Sequence, residues 1–368
     1  MNYQMKRRTF LGASFVAGMA MAGLGSCASQ SQSSQSESAS EGGSLQGGSL
    51  IAATYPGNWE DAHRKILIPA FQKATGAEIN LVTLLALDQV ARLTAAPTSP
   101  PFDVAILDPG PLAAAPKEEI LQKFPVEYSK SYNDILPEHQ NAAGGWGPNI
   151  GLQAVGIAYN PKVITTPPRS WTDLWKSEYR GRVGIANMNS TLGTGWMVEI
   201  AKMNGGSEAN IDAAFDAVQE LLPNLAGVAS SPGALSTLIQ QGEVDIAPHN
   251  LSSIAVLQDK GVDVDWVIPE EGSYAFSATM HVVKNPQASA ELATAYIDAA
   301  LSTEVQAAMA QAPYYIGPTN KNVPLTGVFA EKVAATFDEY NKLIYQNWDE
   351  INKHRSAWIE RFNKEITV

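Results

Sequence analysis

The sequence predicts an α/β fold, and three observations carry that expectation. Short apolar runs alternate with amphipathic helical stretches. A β-α-β-α-β series fits into about 60 residues after residue 49, and a second series starts near residue 150. The composition supplies an ample core, with 45% hydrophobic and only 17% charged residues, and 29 Gly and 22 Pro to punctuate it. In the first series Leu50–Thr54 reads as a strand broken by Pro56-Gly57. Trp59–Lys73 reads as a helix with Trp59, Ala62, Ile66, Ile68, Ala70 and Phe71 between charges. Pro69 predicts a kink or a split in it, and Gly76 suits its C-terminal end. Glu78–Leu84 is a strand, Leu87–Ala95 a helix, and Phe102–Leu107 a strand stopped by Asp108-Pro109-Gly110.

In the second series Leu152–Tyr159 is a strand turned by Asn160-Pro161. Ser170-Trp171-Thr172-Asp173 has the form of a capping box opening a helix through Trp175. Strand Arg182–Ala186 leads through a polar loop to a helix over Trp196–Asn204. Helices follow over Ile211–Leu222 and Ala234–Gln241, and strands over Val244–Ala247, Val262–Ile268 and Ala278–Val283. From residue 287 onward the pattern is helical.

The first 48 residues have a different character. Lys6, Arg7 and Arg8 precede an uncharged run from Phe10 to Gly25, the layout of an export signal and too short for a membrane-spanning helix. Arg7-Arg8-Thr9-Phe10-Leu11 fits the twin-arginine pattern. Leu24-Gly25-Ser26-Cys27 resembles the lipobox of bacterial lipoproteins, which implies cleavage after residue 26 and lipid on Cys27. An ordinary signal peptide with an incidental cysteine is the alternative. Residues 28–48 are rich in Ser, Gln and Gly and read as a flexible tether reaching roughly 25 Å. Nothing else in the chain has 18 consecutive apolar residues.

The formal charge is −12. Removing residues 1–26 takes away three cations and no acid, leaving 22 basic and 37 acidic residues, a charge of −15. That balance argues against a nucleic-acid partner, which requires clustered Lys and Arg. One cysteine excludes a disulfide scaffold and a cysteine-based zinc site. His63, His139, His249, His281 and His354 stand in no metal-ligand spacing, and no nucleophile elbow or P-loop is present. A secreted enzyme built on a carboxylate pair remains the rival from a different functional class.

Local phrases then resemble one family. They are Thr54-Tyr55-Pro56-Gly57-Asn58-Trp59, Gly156-Ile157-Ala158-Tyr159-Asn160 and Pro168 to Trp175. Tyr179-Arg180-Gly181-Arg182-Val183, Gly242 to Ala247, Tyr315 to Asn320 and Trp348-Asp349 follow in order. Together they resemble the solute-binding proteins of bacterial ABC importers, in the class that takes polyamines, thiamine, ferric iron or phosphonates. The resemblance implies two lobes joined by a hinge, each a mixed, mainly parallel sheet flanked by helices. Lobe one is expected over 49–155 and 278–345, and lobe two over 156–277 and 346–368. It also implies a small-molecule solute between the lobes and an ABC permease as partner. A lipid-anchored monomer is expected in the periplasm or on the outer face of the cell membrane, with no cofactor and no resident metal.

The loops after strand ends face such a cleft. They nominate Tyr55 and Trp59 after the first strand, Asp108 after the third, and Asn189, Ser190 and Thr191 after Arg182–Ala186. Ser231, His249, Asn250, Tyr274, Phe276 and Tyr315 complete the set. Each has a local-packing alternative: core filling for the aromatics, a turn for Asp108, a structural role for His249, and helix capping for the hydroxyls. Met188, Thr191 and Ala278 fall where polyamine binders carry acids, so the polyamine pattern is broken. Tyr314-Tyr315 is the only tyrosine pair, and it lies away from the position that the iron class uses. The loop Asn189–Gly195, read as exposed and running into a helix, suits an anionic group. The solute expected is a small polar one, anionic or zwitterionic. A polyamine or ferric iron is the alternative.

Overall fold

A computed structural model describes residues 47–367. The export signal over 1–26, the lipidated Cys27 and most of the tether lie outside the described residues. Ten strands form one mixed sheet: β1 (Ser49–Thr54), β2 (Glu78–Thr83), β3 (Val104–Leu107), β4 (Asn149–Tyr159) and β5 (Val183–Ala186), then β6 (Leu225–Ala229), β7 (Ile246–Asn250), β8 (Asp265–Val267), β9 (Tyr274–Val282) and β10 (Ile344–Tyr345). Their order is β2-β1-β3-β9-β4-β7-β5-β6, with β10 on β9 and β8 on β4. β1 pairs parallel with β2 and β3, and β5 parallel with β6 and β7. The long strands β4 and β9 pair antiparallel with each other and tie the two parallel groups together.

Two hydrophobic cores flank that pair. The first takes side chains from Leu50 to Ile150 and from Ala278 to Ile316. The second takes Leu152 to Phe276 and Phe329 to Ile366. The division falls between Ile150 and Leu152 on β4 and between Phe276 and Ala278 on β9, where Gly151 pairs with Ala278. The sequence expectation carried lobe one through residue 345. Phe329, Ala334, Tyr340 and Leu343 pack instead in the second core.

The elements follow their local chemistry. Asn58–Thr75 is one helical run in which a π turn over His63–Leu67 precedes Pro69. The wider turn absorbs the missing proline N–H, so the expected kink takes that form. Gly76 closes the run in the left-handed region at φ 66°. The Ser170–Asp173 capping box is present on a single 3₁₀ turn, Trp171–Trp175.

Further expectations fail. β9 starts at Tyr274 and not at Ala278, so Tyr274 and Phe276 lie within the strand. β7 runs on through His249 and Asn250, which therefore lie in the sheet and not in a loop after it. The Thr191–Met203 helix starts five residues before the expected Trp196, so Thr191–Gly195 are buried helix and not an exposed loop. Its glycines serve close approach. A Cβ on Gly193 would sit 2.3 Å from the Asn187 carbonyl oxygen, and one on Gly195 would sit 2.7 Å from the Tyr274 ring. Among the described residues no helix is long and apolar enough to cross a membrane.

Candidate functional site

Strand ends locate the site. β3 runs antiparallel to β9 and stops where Leu107 meets Thr279. β10 runs parallel to β9 and stops where Tyr345 meets Ala275. The carboxyl ends of β3 and β10 thus point at each other across the short stretch of β9 around Phe276 and Ser277. Crevices at opposed carboxyl ends are where open α/β sheets bind ligands. A cavity of about 250 Å³ lies there, lined by Pro109, Glu138, His139, Phe276, Tyr345 and Trp348 among others. A groove of about 330 Å³ shares Pro109, Gln346 and Trp348 and extends toward Lys117 and Trp146.

The cavity has aromatic walls and few polar groups. Asn149 accepts the Gly151 N–H on Oδ1 at 3.0 Å, which turns its amide nitrogen toward His139 Nδ1 at 3.3 Å. His139 therefore accepts at Nδ1 and carries its proton on Nε2, a buried atom with no hydrogen-bond partner. Burial lowers the His139 pKa to about 4, so the ring is neutral at pH 7. Its ring meets Tyr340 and Tyr345 edge-on, at 5.9 and 6.3 Å between centroids. Gln346 is held by Gly195 O at 2.8 Å and Glu199 Oε1 at 2.7 Å.

Beside the cavity, Tyr55, Asp108, Thr191 and Arg355 converge from four elements. Thr191 Oγ1 donates to Asp108 Oδ2 at 3.2 Å. The Tyr55 hydroxyl is buried and finds no acceptor of hydrogen-bond geometry; Asp108 lies close enough to raise its pKa further, but burial is the main cause. Burial raises the Asp108 pKa, against the opposing pull of Tyr55, Thr191 and Arg355. Arg355 Nε donates to Thr194 Oγ1 at 3.2 Å, and its Nη2 donates to Asn189 O at 3.1 Å. Trp348 lies against the guanidinium, 5.4 Å from ring centroid to Cζ.

The remaining nominated residues separate. Trp59 packs edge-on to Tyr55 and His63 and is 4% exposed. Ser190 caps the Thr191–Met203 helix through the Gly193 N–H at 3.0 Å, and exposed Asn189 precedes it. Ser231 caps the Pro232–Gln241 helix through the Ala234 N–H at 3.1 Å. His249 is fully buried against Ser236 Oγ, Asn250 Oδ1 and the Pro232 carbonyl, and burial lowers its pKa to about 4. Asn250 donates to Gln153 Oε1 at 3.0 Å. The Tyr274 hydroxyl donates to Leu192 O at 2.8 Å. Tyr315, at φ 50°, reaches the Asp259 carboxylate at 3.1 Å. Of the nominated set, Phe276 lines the cavity, and Tyr55, Asp108 and Thr191 gather beside it.

Sequence reasoning did not nominate Glu138, His139, Tyr345, Gln346 or Arg355. For Arg355 a signal existed. It shares the buried face of its helix with Trp348, Ile351 and Phe362, a lone charge on an apolar stripe. Glu138 and His139 had none, because a four-residue turn helix, Pro137–Gln140, brings them in from outside the strand ends. Among the described residues no group of three metal-ligating side chains forms.

The family model described as bacterial extracellular solute-binding protein matches residues 98–354. A Salmonella typhi protein, provisionally named a 2-aminoethylphosphonate-binding periplasmic protein, is 24% identical over 305 residues, covering 82% of this chain and 86% of the relative. The spermidine/putrescine-binding periplasmic protein of Escherichia coli is 23% identical over 243 residues, covering 62% and 67%. A crystal structure of an ABC transporter protein from Clostridium perfringens superposes with a TM-score of 0.70 at 24% identity, covering 86% of this chain and all of that one. Its two-lobe architecture matches the two cores built on paired strands. The chain belongs to the bacterial extracellular solute-binding proteins, which capture solutes for ABC importers.

Proposed function

We propose that the protein captures a small zwitterionic solute, an ammonium joined by a short chain to a phosphonate or carboxylate, and delivers it to its ABC permease. The observation that carries this is the cavity between the ends of β3 and β10. Its volume, about 250 Å³, lies just below the usual range for ligand pockets and suits a compact solute. Phe276, Tyr345 and Trp348 offer aromatic faces, and Glu138 a carboxylate, a combination that suits an ammonium group. The Salmonella relative's name points to the same chemistry. Tyr55, Asp108, Thr191 and Phe276 belong to this binding site, with Glu138, His139 and Trp348 added. The protein acts as a binding protein and not an enzyme, as a monomer, exported by the twin-arginine route and held to the membrane by lipid on Cys27. Its lobes divide as the two cores do.

Calorimetry tests the solute class. The full chain is titrated with 2-aminoethylphosphonate, 3-aminopropionate and spermidine. Micromolar or tighter binding of either zwitterion, weakened at least tenfold by Trp348→Ala, is the expected result. Tight spermidine binding with no response to the zwitterions refutes it.

A further inference from the structure

Arg355 is an unusual cation. It is 6% exposed, and every acceptor it reaches is neutral: Thr194 Oγ1 at 3.2 Å, Asn189 O at 3.1 Å and Met188 O at 3.4 Å. Among the described residues no carboxylate comes within 4 Å of it. A buried guanidinium with no ion pair carries a desolvation cost that an approaching anion offsets. Its Nη1 lies against the Asp108-Pro109-Gly110 turn, 2.8 Å from where a Gly110 Cβ would stand. The same corner holds the buried Tyr55 hydroxyl, which faces Asp108 without a hydrogen bond of good geometry and so can turn to another acid. It also holds the first turn of the 13-residue Thr191–Met203 helix, whose free N–H groups favour negative charge.

Three donor systems from both cores therefore converge on one position, and Asp108 is the acid beside it. The contact of Asp108 with Thr191 is 3.2 Å, long for a hydroxyl–carboxylate hydrogen bond, and thus readily exchanged. Asp108 follows β3 on the first core. Thr191 and Arg355 stand on the second. This hydrogen bond spans the two cores.

We infer that Arg355, Thr191 and Tyr55 form the subsite for the solute's acidic group, and that Asp108 is an internal stand-in which a phosphonate or carboxylate displaces. The inference rests on the zwitterion reading of the solute. It assigns opposite roles to two charges in one corner: Arg355 attracts the acid and Asp108 competes with it. Closure around a solute then exchanges one cross-core acid for another.

The test has two arms on the full chain. The first needs no solute. Small-angle scattering of the parent, Asp108→Asn and Thr191→Val compares their maximum dimensions, and both variants are expected to be more open. Identical scattering from all three overturns the stand-in role. The second arm titrates 2-aminoethylphosphonate and methylphosphonate, which lacks the ammonium. Arg355→Gln is expected to weaken both at least 100-fold, Tyr55→Phe about 3–10-fold, and Asp108→Asn to strengthen both several-fold. Arg355→Lys, which keeps the charge, should recover part of the loss, and thermal melts confirm that each variant is folded. If Asp108→Asn weakens 2-aminoethylphosphonate instead, Asp108 is a ligand for the ammonium and the inference is wrong. If the parent binds neither phosphonate nor any amino acid, the solute class falls, while the scattering arm still decides whether Asp108 bridges the cores.

Discussion

Acidification from pH 7 to pH 5 is expected to destabilise this protein by several kcal/mol, through four histidines buried as neutral rings. His63, His139, His249 and His281 are each 0–3% exposed. Burial lowers their pKa values to about 3 for His63 and about 4 for the other three. The unfolded chain takes up protons near pH 6.5 that the native state refuses. The stability involved is complete above that pH and is lost as pH falls toward the folded-state values. Between pH 7 and pH 5 each histidine withdraws about 1.8 kcal/mol, so the four together withdraw about 7 kcal/mol, comparable with the whole stability of a typical domain. Asp108 works the other way, because burial raises its pKa and its protonation in the native state adds stability as pH falls. Asp61, Asp173 and Asp265 have lowered pKa values, and their contributions disappear only below the ordinary carboxylate range, outside this window. Urea unfolding at both pH values measures the effect. The midpoint should fall by roughly 2 M for a slope of about 3 kcal/mol per molar. His63→Gln should reduce that shift by about a quarter, since it removes one of four comparable groups. A midpoint that stays constant between pH 7 and pH 5 refutes the reasoning.

Other outcomes follow from single contacts. Gly110→Ala places a Cβ 2.8 Å from Arg355 Nη1 and 2.9 Å from the Trp348 ring, so it should cost about 1–3 kcal/mol in denaturant unfolding and weaken solute binding as well. Spermidine should bind far more weakly than a zwitterion, because Glu138 can pair with one ammonium while buried Met188, Thr191 and Ala278 offer the others no charge; sub-micromolar affinity by calorimetry contradicts this. Cys27→Ser should move the protein from the membrane to the soluble fraction, and mass spectrometry finding no lipid on Cys27 of the parent removes the basis for it.

The α/β alternation was legible where a strand is an unbroken apolar run, as in Val104–Leu107 and Val183–Ala186, and where a helix closes on a left-handed glycine, as at Gly76 and Gly242. The opening of the Thr191–Met203 helix was not. Two glycines and two threonines in its first turns have the composition of a loop, yet the glycines are there because the Asn187 carbonyl and the Tyr274 ring pass too close for larger side chains. Tertiary contact, which no local pattern records, decided those residues. Tyr55 and Asp108 do follow strand ends and lie beside the cavity, whereas Phe276 lines it from within β9. The strand-end rule overreached at His249, Ser231 and Asn250, whose polar atoms are taken up by Ser236, the Ala234 N–H and Gln153. Arg355 and Trp348 arrive from more than 150 residues beyond the Thr191 helix start they meet, and β10, only two residues long, is too short to show periodicity.

The second core draws on chain from Leu152 to Phe276 and again from Phe329 to Ile366, with the rest of β9 and the return through the first core in between. During synthesis the first core has every strand it needs once β9 emerges. The second must wait for Trp348, Ile351 and Phe362. The cavity waits with it, since Tyr345 and Trp348 supply one of its walls. Competence to hold a solute therefore comes with the last part of the chain to fold, and a nascent chain halted before Phe329 should expose a protease-sensitive middle segment beside an already resistant first core.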